Sequence, residues 1–180
     1  MQTMRDIGTF PGPFDFLGMP SIKATVVGTK DCKKPFPIYF MPAGMVYFPG
    51  EALYDVPFDP YLAFLFFGEE ILFSARLWTS GYNLYVPVRH FCVHHYMRTE
   101  KPRFMEDNPK ATPCRNKAKQ RAKYILGFTN RKAVHPDCFF QDVDKFGLGD
   151  KRPIEEYFRL AGIDPKRKRV ELNRVPTPAS

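Results

Sequence analysis

The chain has 180 residues and a formal net charge of +8, and its length fits one domain of ordinary size. Hydrophobic residues make up 44% of the sequence and aromatic residues 16%, which excludes intrinsic disorder as its general state. Eighteen prolines, about twice the usual share, argue against an all-helical bundle. The sequence has neither an apolar run of about 18 residues nor a basic opening followed by an apolar stretch, so it predicts a cytoplasmic protein without a membrane span.

The positive charge belongs to the second part of the chain. Residues 1–100 carry 8 Lys+Arg against 9 Asp+Glu, whereas residues 101–180 carry 19 against 10. A basic surface attracts phosphates, nucleic acid or an acidic partner, so one hypothesis is a zinc-stabilised nucleic-acid-binding module. Its cations would be Arg115, Lys117, Lys119, Arg121, Lys123 and the run 166–169. Single-strand binders interleave cations with aromatic residues, which here lie mostly in the first hundred residues, so nucleic acid is a disfavoured partner.

The first part of the chain predicts short strands joined by loops. Residues 10–14, which contain Pro-Gly-Pro, predict a turn, and residues 22–27 predict a strand. Residues 45–48 are apolar and predict a strand in the core. Residues 51–54 predict one short helical turn.

An apolar run over 62–67 stops at Gly68 and is followed by Glu69 and Glu70. Carboxylates in the first turn of a helix are stabilised by the positive end of the helix dipole. The pattern therefore predicts a loop that opens a helix over 70–80.

This predicted helix has one apolar face. Ile71, Ala75 and Trp78 recur at i, i+4 and i+7, and Leu72 joins them. Gly81 supplies the glycine that commonly follows a helix. We therefore expect Trp78 to be largely buried.

The second part of the chain predicts two strands and two helices. Residues 82–87 and 88–96 predict strands, and residues 115–126 predict a basic helix with Thr112 as its N-cap and Gly127 after its end. A last helix begins near Pro153. Its buried residues would be Ile154, Tyr157, Phe158 and Ala161. The basic end of the chain, residues 166–180, predicts a mobile tail.

Glu69 and Glu70 are the clearest candidates for chemistry. They follow an apolar run and a glycine, and loops at the ends of buried strands are where mixed α/β folds place ligand contacts. One of the two could orient an acceptor hydroxyl group or take its proton. The alternative is that both residues only complement the helix dipole.

Three histidines and a cysteine form a second candidate. Alternation along a strand places His90, Cys92 and His94 on one face and His95 on the other, so only part of the group can share a metal ion. The alternative is that these are hydrogen-bonded core residues. A zinc site would add Cys114, His135 and Cys138, but the spacings match no standard zinc pattern.

Asp142 and Asp144 form an Asp-x-Asp sequence of the kind that holds a metal-bound nucleotide sugar through hard oxygen ligands. That motif should follow an apolar strand. Here a loop-like stretch precedes it, so we reject Asp142 and Asp144 as a metal motif.

Several segments carry a family resemblance. Residues 56–60, 66–71, 75–79, 81–82 and 95–96 read VPFDP, FFGEEI, ARLWT, GY and HY. Together they resemble the N-acetylglucosaminyltransferase family whose eukaryotic members modify hydroxyproline on a cytoplasmic ubiquitin-ligase adaptor. The likeness begins near residues 18–20 and continues to 162–164, so it covers most of the chain.

The resemblance implies a fold and a reaction. The fold would be the C-terminal half of a GT-A-type nucleotide-diphospho-sugar transferase, an α/β fold with a mixed sheet and flanking helices. The donor would be UDP-GlcNAc, the cofactor a divalent cation, Mn²⁺ or Mg²⁺, and the acceptor a hydroxyl group on a polypeptide or glycan, with retention of configuration.

The resemblance also implies roles for particular residues. The order of Glu69, Arg76, Trp78 and His95 is similar to that in the mucin-type polypeptide glycosyltransferases. By this likeness Glu69, with Glu70 beside it, would be the acceptor-side acid, and His95 would be a metal ligand. The residues of the matching segments that would bind acceptor or substrate are Asp59, Gly68, Arg76 and Trp78.

One departure from the family pattern concerns the nucleotide-binding half of the fold. Family members carry that half, with Asp-x-Asp at a strand end, before the matching segment. Residues 1–165 would then be the C-terminal part of a catalytic domain and 166–180 its tail, and we expect the isolated chain to be inactive. The alternative is a catalytically inactive binding remnant.

Overall fold

A computed structural model describes residues 7–15, 18–26, 34–87, 103–134 and 140–171. The strands in these ranges are β1 (Ile7–Phe14), β2 (Pro20–Val26), β3 (Phe36–Ile38), β4 (Leu84–Val86), β5 (Ile163–Asp164) and β6 (Arg169–Val170). The helices are α1 (Glu51–Asp55), α2 (Glu69–Thr79), α3 (Phe104–Asp107), α4 (Thr112–Ile125), α5 (Val143–Phe146) and α6 (Ile154–Ala161). Two short 3₁₀ turns occur at Pro109–Ala111 and Arg131–Ala133.

The described strands pair as three antiparallel ribbons, β1 with β2, β3 with β4 and β5 with β6. Helices and small antiparallel strands together are compatible with the α/β class. The mixed sheet that we expected is not seen within the described ranges, because each ribbon contains only two strands. The predicted strand over 88–96 lies outside the described residues.

The turn predicted at residues 10–14 is instead the end of β1. Its register against β2 shifts between Pro11 and Phe14. Proline has no N–H to donate to a strand partner, so Pro-Gly-Pro interrupts the ladder locally without ending the strand. The strand predicted at 22–27 is confirmed as β2 (Pro20–Val26).

Helix α2 is the centre of the structure, and its prediction is confirmed. Ile71, Ala75 and Trp78 are buried on one face, where they meet residues of α4 and α6. Phe73 and Leu77 are buried on the opposite face. Because apolar side chains on both faces are buried, α2 lies within the core and not at the surface.

The main cluster joins three helices to the loops around them. The hydroxyl group of Tyr157 on α6 donates to the backbone carbonyl of Tyr39 across the core at 2.6 Å. Tyr157 and Phe158 are buried as predicted, and Ile154 is only partly buried. The cluster contains Met19, Phe40, Ile71, Leu72, Ala75, Trp78, Ala122, Ile125, Leu126, Tyr157, Phe158, Ala161 and Ile163.

Buried hydroxyl groups of α2 attach neighbouring loops to the helix. Ser74 Oγ accepts the backbone N–H of Met41 at 2.9 Å, and Thr79 Oγ1 accepts that of Gly149 at 2.8 Å. A Cβ at Gly149 would come within 2.7 Å of the Cα of Ser80. Only glycine allows the loop to approach the end of α2 this closely.

The core strand predicted over 45–48 is wrong. These residues form no strand, and the side chains of Met45 and Tyr47 are 51% and 93% exposed. Pro42 and Gly44 precede them, so the apolar run has the turn residues that break a strand as well as the hydrophobicity that suggested one.

Helix α4 is confirmed as the predicted basic helix, but it begins earlier than predicted. Thr112 is its first residue, and Ala111 at the end of a 3₁₀ turn holds the N-cap position. Gly127 follows the helix in the left-handed conformation, with φ of 72°.

Over 166–171, the segment predicted as a mobile tail is part of a hairpin. The basic run forms the turn between β5 and β6, and the backbone N–H of Glu171 donates to the carbonyl of Gly162. Strand β6 lies next to β1, so this hairpin connects the end of α6 to the first ribbon.

Candidate functional site

The candidate site lies where a loop becomes helix α2. Gly68, the N-cap of α2, has φ of 107°, a conformation that L side chains rarely adopt. A Cβ at this position would also lie 2.9 Å from the Cε of Met19. The glycine therefore permits a sharp turn, and Glu69 and Glu70 follow it as the first two residues of the helix.

Glu69 is a carboxyl group in surroundings that disfavour its charge. Burial, and then repulsion from Glu70, raise the pKa of Glu69 to about 8, although the positive charge of Lys119 opposes the shift. Its Oε2 is buried and has no hydrogen-bond partner among the residues that the structure describes. At neutral pH this carboxyl group is mostly protonated, so it can donate or accept a proton near pH 8.

Glu70 is more deeply buried, at 9% exposure. Burial raises its pKa, while the backbone N–H groups of Ala43 and of Glu70 itself oppose the shift. Its Oε2 also lacks a partner within the described ranges. The two acids therefore differ in their neighbours: Glu69 faces the charge of Lys119, and Glu70 faces the backbone at Ala43.

A buried ion pair fixes the loop that leads to these acids. Asp59 Oδ2 lies 2.7 Å from the Nε of Arg121 on α4, and both side chains are completely buried. Asp59 Oδ1 accepts the backbone N–H of Tyr61 at 3.0 Å, and the guanidinium group of Arg121 lies over the Tyr61 ring. Because these partners enclose Asp59, its carboxylate holds the loop in place and is not exposed at the surface.

The same network extends to two further loops. The Tyr61 hydroxyl group donates to Asp142 Oδ2 at 2.7 Å, which gives Asp142 a structural partner. Arg76 Nε donates to the backbone carbonyl of Gly147 at 3.0 Å. Burial lowers the pKa of Arg76 to about 10, against the effect of the nearby Asp59 carboxylate. Arg76 is thus buried between α2 and the loop that contains Gly147.

Exposed aromatic side chains adjoin the two acids. The rings of Phe66 and Phe67 contact each other edge to face with centroids 4.8 Å apart, and Phe66 stacks on Phe104 at 5.1 Å. Phe64 also contacts Phe104, with ring centroids 6.3 Å apart, and has a left-handed backbone, with φ of 57°. These rings form an apolar surface directly before Gly68.

Trp78 lies at the opposite end of α2 from the acids. It is 4% exposed, as predicted, and its ring packs against Tyr157 and under the guanidinium group of Arg152. A shallow groove of about 380 Å³ lies there, lined by Trp78, Tyr39, Tyr85 and Arg152 among others. Glu69 and Glu70 do not line this groove.

The expected metal ligands cannot be placed. His95, and with it His90, Cys92, His94, His135 and Cys138, lie outside the described residues. Cys114 is described as a free thiol whose sulfur lies 3.8 Å from the carbonyl oxygen of Ala63.

A divalent cation needs several oxygen or nitrogen ligands that converge. Within the described ranges, no three His, Cys, Asp or Glu side chains are grouped in this way. Glu69 also faces the positive charge of Lys119, which repels a cation. The described residues therefore do not by themselves fit the implied cation.

Sequence reasoning found the two acids but missed the network behind them. Asp59 and Arg121 are 62 residues apart, and Asp15 pairs with Lys119 at a separation of 104 residues. Arg121 and Lys119 occur in a run of cations that looks like a solvated face. The available signal was their spacing, since alanines at 118 and 122 mark the buried side of the same helix.

The burial of these cations bears on the nucleic-acid hypothesis. Lys119 and Arg121 are buried and paired with carboxylates. They are therefore not available to phosphates of a nucleic acid, and the predicted basic face of α4 is narrower than its sequence suggests. The structure does not favour a nucleic-acid-binding module.

In the part of the chain that the structure describes, no helix has the length and apolar character needed to cross a membrane.

Comparison with known proteins gives one family. Neither the curated proteins nor the solved structures give a match. A family model described as Glycosyltransferase (GlcNAc) matches residues 11–167, which is more than half of the chain. The chain therefore belongs to the Glycosyltransferase (GlcNAc) family.

Proposed function

We propose that this chain takes part in the transfer of N-acetylglucosamine from UDP-GlcNAc to a hydroxyl group on a polypeptide, with retention of configuration. Membership of the Glycosyltransferase (GlcNAc) family supports glycosyl transfer as the reaction. The sequence resemblance supports the polypeptide acceptor, with hydroxyproline as the modified residue, a GT-A-type fold and a cytoplasmic location.

The observation that carries this proposal is the state of Glu69. Its carboxyl group is buried at the opening of α2, has an unpartnered oxygen within the described ranges and has a pKa of about 8. A base of that pKa accepts a proton efficiently near physiological pH. The carboxyl oxygen is therefore suited to the hydroxyl proton of an acceptor.

In the proposed step, the acceptor oxygen forms a bond to the anomeric carbon on the face from which UDP leaves, so the configuration of that carbon is retained. The bond from that carbon to the phosphate oxygen breaks, UDP leaves with the electron pair, and the hydroxyl proton moves to Glu69. Before the step, Glu69 must be ionised. Lys119 assists this, since its charge lowers the pKa of Glu69.

The other acceptor-side residues would act mainly by position. Gly68 allows the sharp turn before Glu69, and Glu70 keeps the pKa of Glu69 high by repulsion. Asp59, Arg76 and Trp78 are buried, so we assign them to holding the loop and helix in place. The exposed surface of Phe66 and Phe67 would contact the acceptor polypeptide.

The donor and the cation need residues beyond those that the structure describes. We propose His95 as one metal ligand, and we propose that the uridine group is bound by a nucleotide-binding segment other than residues 11–167. The isolated chain should then transfer sugar poorly, or not at all. A divalent cation, when bound, would neutralise charge on the diphosphate.

Replacement of Glu69 tests the proposal. When the chain is assayed together with the proposed nucleotide-binding segment, Glu69→Gln should lower the rate of transfer from UDP-GlcNAc to a polypeptide acceptor by about 10² to 10⁴, the range typical of a lost general base. The measurement is release of UDP together with the mass increase of the acceptor. Glu155→Gln, which removes an acid from the first turn of α6, is the matched control and should keep the wild-type rate.

Two results would contradict the proposal. One is full transfer by Glu69→Gln, which would remove Glu69 from the reaction. The other is the absence of any transfer or donor hydrolysis when the wild-type chain is assayed together with the proposed nucleotide-binding segment, which would favour a catalytically inactive binding remnant.

A further inference from the structure

Two lysine side chains from separate elements converge on one glycine. The ideal Cβ position at Gly18 lies 3.3 Å from the Nζ of Lys123 on α4 and 4.0 Å from the Nζ of Lys168 in the β5–β6 turn. Both ammonium groups therefore lie close to a spot that any other side chain would fill. Gly18 itself has φ of 75°, which favours glycine there.

The backbone on each side of this spot is held in place. Asp15 Oδ1 accepts the N–H of Met19 at 2.9 Å, and the carbonyl of Asp15 accepts the N–H of Gly18 at 2.9 Å. Lys168 occupies a left-handed conformation with φ of 51°, at the turn of a paired hairpin. The hairpin therefore fixes the backbone from which the Lys168 side chain extends.

A third cation lies one helical turn from Lys123. Lys119 is nearly buried and pairs with Asp15 Oδ2, so part of the negative charge of Asp15 is already engaged. Burial first, and then the charges of Lys168 and Lys119, lower the pKa of Lys123, while Asp15 opposes them. The charges of Lys168 and Lys119 thus disfavour positive charge on Lys123, and an added anion would offset their effect.

We propose that Lys123 and Lys168 form a binding site for a phosphate group at Gly18. A phosphate is compact and has several acceptor oxygens, so it can bridge two ammonium groups that approach one point from different elements. Lysine serves as a point charge for such groups. An extended nucleic acid would instead need a continuous row of exposed cations, and α4 buries two of its own.

This inference does not depend on the proposed function, because it concerns binding and not transfer. The phosphate could come from a nucleoside diphosphate or from a free phosphate ion, which share the same chemistry. The charge of Lys119 acts on both Glu69 and Lys123.

Isothermal titration with pyrophosphate tests the site. Lys123→Met keeps the aliphatic stem, and Lys168→Asn is suited to a left-handed position. The double variant should bind pyrophosphate at least about tenfold more weakly than the wild type, since two charge-assisted hydrogen bonds are lost. Lys166→Gln, an exposed lysine in the same turn, is the matched control and should bind as the wild type does.

The source of the phosphate follows from further titrations. Displacement of bound pyrophosphate by UDP indicates a nucleoside diphosphate, and displacement by inorganic phosphate but not by UDP indicates a free ion. Uridine, which lacks phosphate, should not bind at this site.

Equal binding by the wild type and the double variant would overturn the proposal, as would an equal loss in Lys166→Gln, because net charge alone would then explain the affinity. If Lys123→Met lowers the thermal unfolding midpoint, Lys168→Asn alone replaces the double variant. Its exposed turn position affects no packed residue.

Discussion

At the scale of single residues, Glu69 holds a proton that an exposed glutamate would have released. Desolvation is the larger cause and the neighbouring Glu70 the second, so the effect combines burial with like charge. Both causes come from the same local feature. Gly68 turns the chain so that two consecutive acids enter the packed end of α2.

This proton predicts how stability changes with pH. The pKa of Glu69 is about 8 in the folded protein against an ordinary value of 4.5. Between these values the folded protein binds a proton that the unfolded chain has lost, so the free energy of unfolding falls as pH rises from about 4.5 to 8. Glu69→Gln removes this dependence and should unfold at a higher temperature than the wild type at pH 9.

Thermal unfolding at pH 4 and pH 9 measures the effect. The difference between Glu69→Gln and the wild type should be small at pH 4, where both folded and unfolded Glu69 are protonated. Glu155→Gln should show no gain at pH 9, since Glu155 is exposed. A Glu69→Gln variant that is less stable than the wild type at pH 9 would show that the carboxylate is favourably bound.

At the scale of elements, α2 is held by loops that approach its C-terminal end. The loop at Gly149 is the closest of these, since its N–H bonds to Thr79 Oγ1 and a Cβ would collide with the backbone of Ser80. Gly149→Ala should therefore destabilise the protein by about 1–3 kcal/mol, the typical cost of overpacking a tight contact. Chemical denaturation measures this loss.

The matched control is Gly50→Ala. Gly50 precedes α1, has a negative φ, and a Cβ there meets no atom within 4 Å. Gly50→Ala should change the free energy of unfolding by much less than Gly149→Ala does. Equal effects of the two substitutions would mean that the loop moves aside without cost.

The buried ion pair between the loop at Asp59 and helix α4 gives a second prediction for the elements. Arg121→Met leaves the Asp59 carboxylate buried without its cation, and should cost about 3–5 kcal/mol in the free energy of unfolding. Arg167→Met is the control, because its pairing with Asp164 is exposed and such pairs contribute about 1 kcal/mol at most. A loss below about 1 kcal/mol for Arg121→Met would show that other groups stabilise the buried Asp59 carboxylate.

At the scale of the whole molecule, the elements of the fold that can be predicted from sequence are those with local sequence signals. Helices α2, α4 and α6 follow from apolar spacing and flanking glycines, and Trp78 and the opening of α2 at Glu69 were placed by the same signals. These patterns lie within about a dozen consecutive residues each, so no distant contact is needed to recognise them.

The rest of the fold depends on contacts between residues that are far apart in the chain. Strand β3 pairs with β4 nearly fifty residues later. The apolar run at 45–48 has no such partner, and its residues Met45 and Tyr47 are exposed instead. The basic run at 166–169 looks mobile in sequence, but it closes a hairpin. Arg121 looks exposed for the same reason: its partner, Asp59, is far away in the chain.

The pH dependence of sugar transfer tests the central claim most directly. If ionised Glu69 accepts the acceptor proton, the transfer rate at saturating UDP-GlcNAc should rise with pH and level off above about pH 8, the pKa of this carboxyl group. The residual rate of Glu69→Gln should lack this rise. A wild-type rate that is constant between pH 6 and 9, or that falls, would contradict the assignment of Glu69 as the base.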